Sequence, residues 1–373
     1  MAAPSPAAAV DGADVRHNPA WTLALPIAGI AALALSWLVP AMPGLQLVLG
    51  LGLVGSVVAA VHHAEVIAHR VGEPYGTLVL ALAVTVIEVA LIVSLMYAHG
   101  AGAATLARDT IFAAVMIILN GIIGISLLAG ARRHFEQDFR TQGMVAALAT
   151  LAVITVFALV LPNVVTSRPG PLYSDSQLAF IAVAILTLFA GFTFVQTVRH
   201  RDYFLPPGPG DDDPERHAAP PSRREAGASL VLLLLALGAV VWSAKGMSPV
   251  IKRALDAVGA PAATLGILIA AIVLMPEGIA AVRAALHNRL QTSLNLAISS
   301  AIASIGLTVP VVAIIALASG WPLVLGLDAK STLLLALTLF VVSLSFHTGR
   351  TNVLLGLVHL VLFATYLFMS LVP

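Results

Sequence analysis

Apolar residues run through this chain in eleven long stretches separated by short polar breaks. Crossing ~30 Å of hydrocarbon takes about 20 helical residues. The stretches meet that length, at about 21–39, 45–70, 76–98, 110–130, 144–162, 176–199, 228–248, 261–286, 291–319, 328–348 and 352–372. The second and ninth are long enough to tilt or bend. The pattern predicts an all-α polytopic membrane protein of about eleven transmembrane helices.

One substantial polar segment, Arg199 to Glu225, divides the pattern between the sixth and seventh stretches. It holds Pro206-Pro207-Gly208-Pro209-Gly210 and then Asp211-Asp212-Asp213. That composition cannot bury a core, so the segment reads as a linker with the aspartates on a solvated face. Setting the first helix aside leaves five helices on each side. Each half carries, in its second helix, a glutamate within an apolar run: Glu88 and Glu277. Five is odd, so the second half enters the membrane from the opposite side, and the two are inverted repeats. Inverted repeats with a site at the midplane are a transporter architecture. The expected organisation is a disordered tail 1–20, a first transmembrane helix 21–39, a first repeat 45–199, an acidic cytoplasmic linker 200–227 and a second repeat 228–373.

Charge then orients the chain. With the N-terminus inside, thirteen of the nineteen Lys and Arg residues fall on inside segments and six outside. By the positive-inside rule the N-terminus and linker are cytoplasmic and the C-terminus periplasmic, in a cell inner membrane. The Ala/Pro-rich start lacks the basic opening and small-residue exit of a cleaved signal, so the first helix is expected to be retained.

Composition closes off other classes. The chain is 59% hydrophobic and 10% charged, with mean hydropathy +0.99, against about 25% charged for soluble domains. It has no Cys, which excludes disulfides, thiolate metal sites and a Cys nucleophile. A net charge of +1 without a basic cluster argues against a nucleic-acid partner. The expected partners are the lipid bilayer, transported cations and protons, and an oligomer is compatible with the pattern.

Of eighteen acids, fifteen fall in tails, loops or helix ends, leaving Glu65, Glu88 and Glu277. A carboxylate in hydrocarbon costs at least about 2.5 kcal/mol, so it usually faces a cavity or pathway. Two carboxylates near one point suit a hard cation such as Ca2+, which takes six to eight oxygens. They also hold protons near neutral pH, because desolvation and mutual repulsion penalise the charged form. One pair then holds either cation or protons, which enforces exchange. Thr85, Asn120, Ser299, Ser300 and Ser304 are candidates for further oxygens, weighed against a role as interhelical glue. Pro276 and Gly278 flank Glu277 and predict a helix break there, freeing carbonyls toward the site.

His62, Glu65 and His69 recur at i, i+3 and i+7 on one face of the second helix. They suit a gating or proton-entry vestibule, with a metal-hydrolase ligand set as the alternative. The polar corner Ser343 to Asn352, with His347 and His359, is explained by helix capping. No H-E-x-x-H or G-x-S-x-G pattern supports an enzyme.

The run from His63-Ala64-Glu65 through His69-Arg70-Val71-Gly72-Glu73-Pro74-Tyr75-Gly76 into Thr85-Val86-Ile87-Glu88-Val89 resembles the first signature of ChaA-type calcium/sodium–proton antiporters, in the calcium/cation antiporter superfamily. Met275-Pro276-Glu277-Gly278-Ile279-Ala280-Ala281-Val282-Arg283, with Asn288 and with Ile305 to Pro310, resembles the second. Phe346 to Leu354 is similar to the family's C-terminal stretch. The resemblance implies eleven helices, an extra first helix before two inverted repeats, and Glu88 and Glu277 as exchange carboxylates. It implies a secondary transporter without a cofactor, exchanging Ca2+ first, and Na+ or K+, for protons by alternating access. The alternatives are a membrane metalloenzyme built on His62, Glu65 and His69, or a passive cation channel. The Gly-Asn-Ala-x-Glu context of broader cation–proton exchangers is absent here. Side-chain amides beside the acids are therefore missing, which leaves room for Na+ or K+.

Overall fold

The computed structural model describes residues 18–39, 44–72, 75–99, 104–205, 221–257, 259–261 and 263–372. Most of the expected tail, through residue 17, and the linker run 206–220 lie outside the described residues. The helices are α1 Trp21–Leu38, α2 Leu45–Val71, α3 Tyr75–His99, α4 Leu106–Met116, α5 Ile123–His134, α6 Thr141–Leu159, α7 Asp175–Phe194, α8 Arg223–Ala257, α9 Ala263–Leu286, α10 Leu290–Ser319, α11 Ala329–His347 and α12 Val353–Leu371. A π-helical turn, Ile117–Ile122, joins α4 to α5 in one rod. Among the described residues nine rods are long and apolar enough to cross a bilayer, and shorter apolar stretches, Trp21–Ser36 and Leu82–Tyr97, lie in α1 and α3. The protein is an all-α polytopic membrane protein.

Local chemistry sets the helix ends. Ser174 caps α7 in a box with Gln177, and Ser222 and Glu225 bond each other's backbone amides at the start of α8. Each satisfies amides that the first turn leaves unpaired. Asp328 and Asn352 do the same for α11 and α12. Gly72 and Gly320, at φ 74° and 66°, end α2 and α10 in a backbone region that suits glycine.

Two expectations change. α9 does not break at Pro276 but runs unbroken from Ala263 to Leu286. A proline removes one helical hydrogen bond, and a packed transmembrane helix tolerates that when its neighbours satisfy the freed groups. The irregular backbone sits instead at Ile117–Ile122. α8 continues to Ala257, past the expected end near 248, because loss of hydropathy marks the edge of hydrocarbon and not the end of a helix.

The halves pack in matching pairs. α10 lies against α7, and the α4–α5 rod against α12. In each pair a glycine permits close approach: a Cβ at Gly306 would stand 2.8 Å from Phe189, and one at Gly356 would stand 2.6 Å from the Leu128 backbone. The connections match as well. At one end β1 (Gln137–Asp138) pairs antiparallel with β2 (Arg350–Thr351), and Phe139 N donates to Gly349 O at 2.9 Å. At the other, Leu327 N donates to Leu159 O at 2.9 Å, Gly326 N to Pro171 O at 3.3 Å, and Asn163 Nδ2 to Leu327 O at 2.6 Å. The rods 106–134 and 290–319 are the most enclosed of the nine, with 89% and 67% of an 18-residue apolar stretch buried. They form the middle of the molecule.

Candidate functional site

Glu88 is fourteenth in α3 and Glu277 fifteenth in α9, so each sits halfway along its helix. Both are buried, at 3% and 8% exposure, among apolar neighbours. α3 packs on α10, and α9 packs on both α10 and the α4–α5 rod. The two carboxyls therefore stand at the enclosed centre, and Glu277 lies within electrostatic reach of both Glu88 and Glu65.

The sequence places a hydroxyl where Glu88 can use it. Ser304 is fifteenth in α10, and its Oγ lies 2.9 Å from Glu88 Oε1 and 2.7 Å from Oε2. A hydroxyl carries one proton, so it serves either oxygen in turn. Thr308, one turn further, faces the same carboxyl, with its own Oγ1 free of a well-aligned partner among the described residues. Glu277 differs. Its Oε2 is buried and has no hydrogen-bond partner among the described residues.

The remaining candidates divide. Thr85 is buried three residues before Glu88 on α3. Ser300 is partly buried on α10. Ser299 does not face the glutamates: its Oγ accepts from Gln196 Nε2 at 2.7 Å, tying α10 to the end of α7. Asn120, fifteenth in the rod 106–134, turns toward α11 and α12. Its Nδ2 donates to Thr338 Oγ1 at 2.9 Å, and its Oδ1 lies 3.3 Å from His359 Nδ1. On α2, His62 packs on Trp21 with ring centroids 5.3 Å apart, while Glu65 and His69 are exposed. Among the described residues no three His, Asp or Glu side chains gather to hold a metal ion.

Sequence reading missed several polar residues. His359, expected at the corner after α11, is fully buried within α12, with Ser345 Oγ 3.0 Å from its Nε2. Asp109 does stand at a helix end, in the first turn of α4, but its burial was not legible. It is buried at 8% exposure and paired with Arg108 at 2.8 Å, with Thr105 Oγ1 donating to it at 3.0 Å. The available signal was Asn120 itself: an amide halfway along an apolar span requires partners on its neighbours. At the same end as Asp109, Asp328 Oδ1 accepts from Ser331 N at 2.7 Å. Partial burial pushes this carboxyl up, but the Ser331 amide and hydroxyl and the nearby Lys330 and Arg108 charges hold it below its ordinary value.

Known proteins resemble the chain along nearly its whole length. The family described as sodium/calcium exchanger protein matches residues 42–198 and 228–372. A protein of Sinorhizobium fredii named putative ionic transporter y4hA is 47% identical over 360 residues, covering 96% of this chain and 97% of its own. The sodium-potassium/proton antiporter ChaA of Escherichia coli is 36% identical over 363 residues, covering 96% and 98%. Among solved structures, native YfkE aligns with TM-score 0.73 at 15% identity, covering 94% of this chain and all of that one. The H+/Ca2+ exchanger CAX aligns with TM-score 0.64 at 15% identity, covering 93% and 89%. These two likenesses concern the fold.

Proposed function

The chain belongs to the sodium/calcium exchanger protein family, as a multi-pass membrane cation antiporter and not an enzyme, and from that premise we propose that it exchanges a cation for protons at Glu88 and Glu277. The observation that carries this reading is the placement of two buried carboxyls halfway along matching helices, against the most enclosed rods and within electrostatic reach of each other. Cation bound between them replaces the protons that otherwise neutralise them, so loading one releases the other. Ser304 and Thr308 complete the Glu88 side. That set is sparse beside the six to eight oxygens Ca2+ takes. The 36% identity to a protein named as a sodium-potassium/proton antiporter points the same way. Na+ or K+, alongside Ca2+, is the cation this reading assigns.

Residues 45–199 and 228–373 act as the two inverted repeats, a division supported by the matching helix pairs and the paired connections at both ends. His62, Glu65 and His69 form the proton-entry vestibule. Glu65 is exposed on α2 and reaches Glu277 electrostatically. The linker and N-terminus face the cytoplasm of a cell inner membrane and the C-terminus the periplasm. A C-terminal reporter active only in the cytoplasm overturns that orientation.

Everted vesicles test the central claim. Adding Na+, K+ or Ca2+ should dissipate a preformed pH gradient, faster at higher pH on the loading side because protons compete for the same oxygens. Glu88→Gln and Glu277→Gln should each abolish this, since an amide neither titrates nor supplies charge, while Asp should retain part. Near-normal exchange in both Gln variants, at equal expression, would remove the glutamates from the mechanism.

A further inference from the structure

Four buried polar side chains outside the glutamate pair form a directed chain. Ser345 on α11, His359 on α12, Asn120 in the π-helical turn and Thr338 on α11 are each 0–2% exposed. Their contacts run Ser345 Oγ to His359 Nε2 at 3.0 Å, His359 Nδ1 to Asn120 Oδ1 at 3.3 Å, and Asn120 Nδ2 to Thr338 Oγ1 at 2.9 Å. Thr338 Oγ1 then reaches Met116 Sδ at 3.6 Å. A thioether has no proton to give, so Thr338 donates to it and accepts from Asn120 Nδ2. The amide oxygen of Asn120 is then the acceptor facing His359, so the imidazole carries its proton on Nδ1 and accepts at Nε2 from Ser345. The same sulfur lies 3.8 Å from Asn120 Nδ2, and an acceptor there faces the amide nitrogen and not its oxygen, so Met116 orients the series.

The residue so held occupies a telling place. Asn120 and Ser304 are each fifteenth in the two central rods, yet only Ser304 bonds a glutamate. The turn carrying Asn120 packs on α9, where Ile122 Cδ1 would stand 3.2 Å from a Cβ at Gly278, next to Glu277. Glu277 Oε2 meanwhile has no partner among the described residues. We propose that His359 is a positioning residue: its Nδ1–H, with Thr338, holds the Asn120 amide toward α11 and α12 and withholds its oxygen from the ion site at Glu277. This rests on the glutamate reading above and deepens it. Withholding an oxygen keeps cation binding weak enough for release, so His359 acts on affinity and turnover without touching the ion.

Proteoliposomes holding the full chain separate this role from a merely structural one. His359→Leu should free Asn120 and lower the apparent KM for Na+ about five-fold, the size of one hydrogen bond, with a fall in kcat. In the Asn120→Ala background the same change should do nothing further, and His359→Asn, which returns a donor near the Nδ1 position, should restore the wild-type KM. Should His359→Leu fail to insert, Thr338→Val releases the other end of the amide and should lower KM in the same direction. The nitrogen NMR signature of His359 should be that of the Nδ1-protonated ring. A KM unchanged in the variant that inserts, a shift that persists without Asn120, or an Nε2-protonated ring overturns the proposal. Active Glu277→Gln would instead count against the glutamate reading, so the two failures are distinguishable.

Discussion

Glu88 and Glu277 occupy matching positions in matching helices, but their surroundings are not copies. Glu88 has a serine hydroxyl on both its oxygens; Glu277 has an oxygen buried without a partner. In the two central rods the fifteenth residue is Ser304 in one and Asn120 in the other, and the second is engaged elsewhere. Repetition thus extends to helix pairing, glycine contacts and connections, and stops at the polar side chains. Packing between helices in lipid depends on small residues and shape, which both halves can share. An ion site needs its charges and oxygens in one arrangement, and two identical halves would supply each ligand twice. On the proposed reading, the asymmetry leaves Glu277 as the carboxyl that must find its partner in an arriving ion, proton or water.

The comparison can be broken most decisively by stability. Replacing Glu88 with Leu strands the Ser304 hydroxyl and should destabilise the purified protein by about 1–3 kcal/mol, whereas Glu277→Leu removes an unpaired group and should be neutral or stabilising. Thermal unfolding in detergent reads both, and equal losses would show that the two sites are equivalent. A smaller effect sharpens it. Ser304→Ala should weaken cation binding about ten-fold, the low end for loss of one hydrogen bond to a charged group, while leaving exchange measurable. Isothermal titration with Na+ checks this, and unchanged affinity would remove Ser304 from the site. The smallest effect lies at the rim. Asp328→Asn keeps the capping oxygen and loses only the charge at the helix N-terminus, so it should cost about 0.3–1 kcal/mol at neutral pH. Its folded carboxyl sits below the ordinary value, so the stabilisation is present above the unfolded value and fades as pH falls through the folded one. Unfolding curves of the two proteins should therefore converge in acid, and a gap that widens there contradicts the assignment.

Much of the architecture could be read from hydropathy, because a helix that crosses lipid must be apolar for about 20 residues whatever its packing. The same constraint made Glu88 and Glu277 conspicuous, since a carboxyl is costly there. Features set by packing between distant segments were hidden. Pro276 promised a break by its local chemistry, but its helix runs unbroken, and the irregular turn formed at Ile117–Ile122, where no proline stands. Ser299 looked as eligible as Ser304, although residues five apart point in different directions on a helix of 3.6 per turn, and Ser299 met Gln196. His359 looked like a capping residue only because its partners, 14 and 239 positions away, are adjacent in space alone.

Those separations bear on how the protein is made. Asn120 meets Thr338 across 218 residues of chain. At about 5–20 residues per second, synthesis of that interval takes about 10–40 s. For that time the first half resides in the membrane with the Asn120 amide unmatched and the β1 edge at Gln137–Asp138 waiting for Arg350–Thr351. An amide in lipid without its partner is costly, so the half-made chain must borrow water or a helper's polar groups until its own α11 and α12 arrive. The final two helices, α11 and α12, are thus the ones that complete assembly.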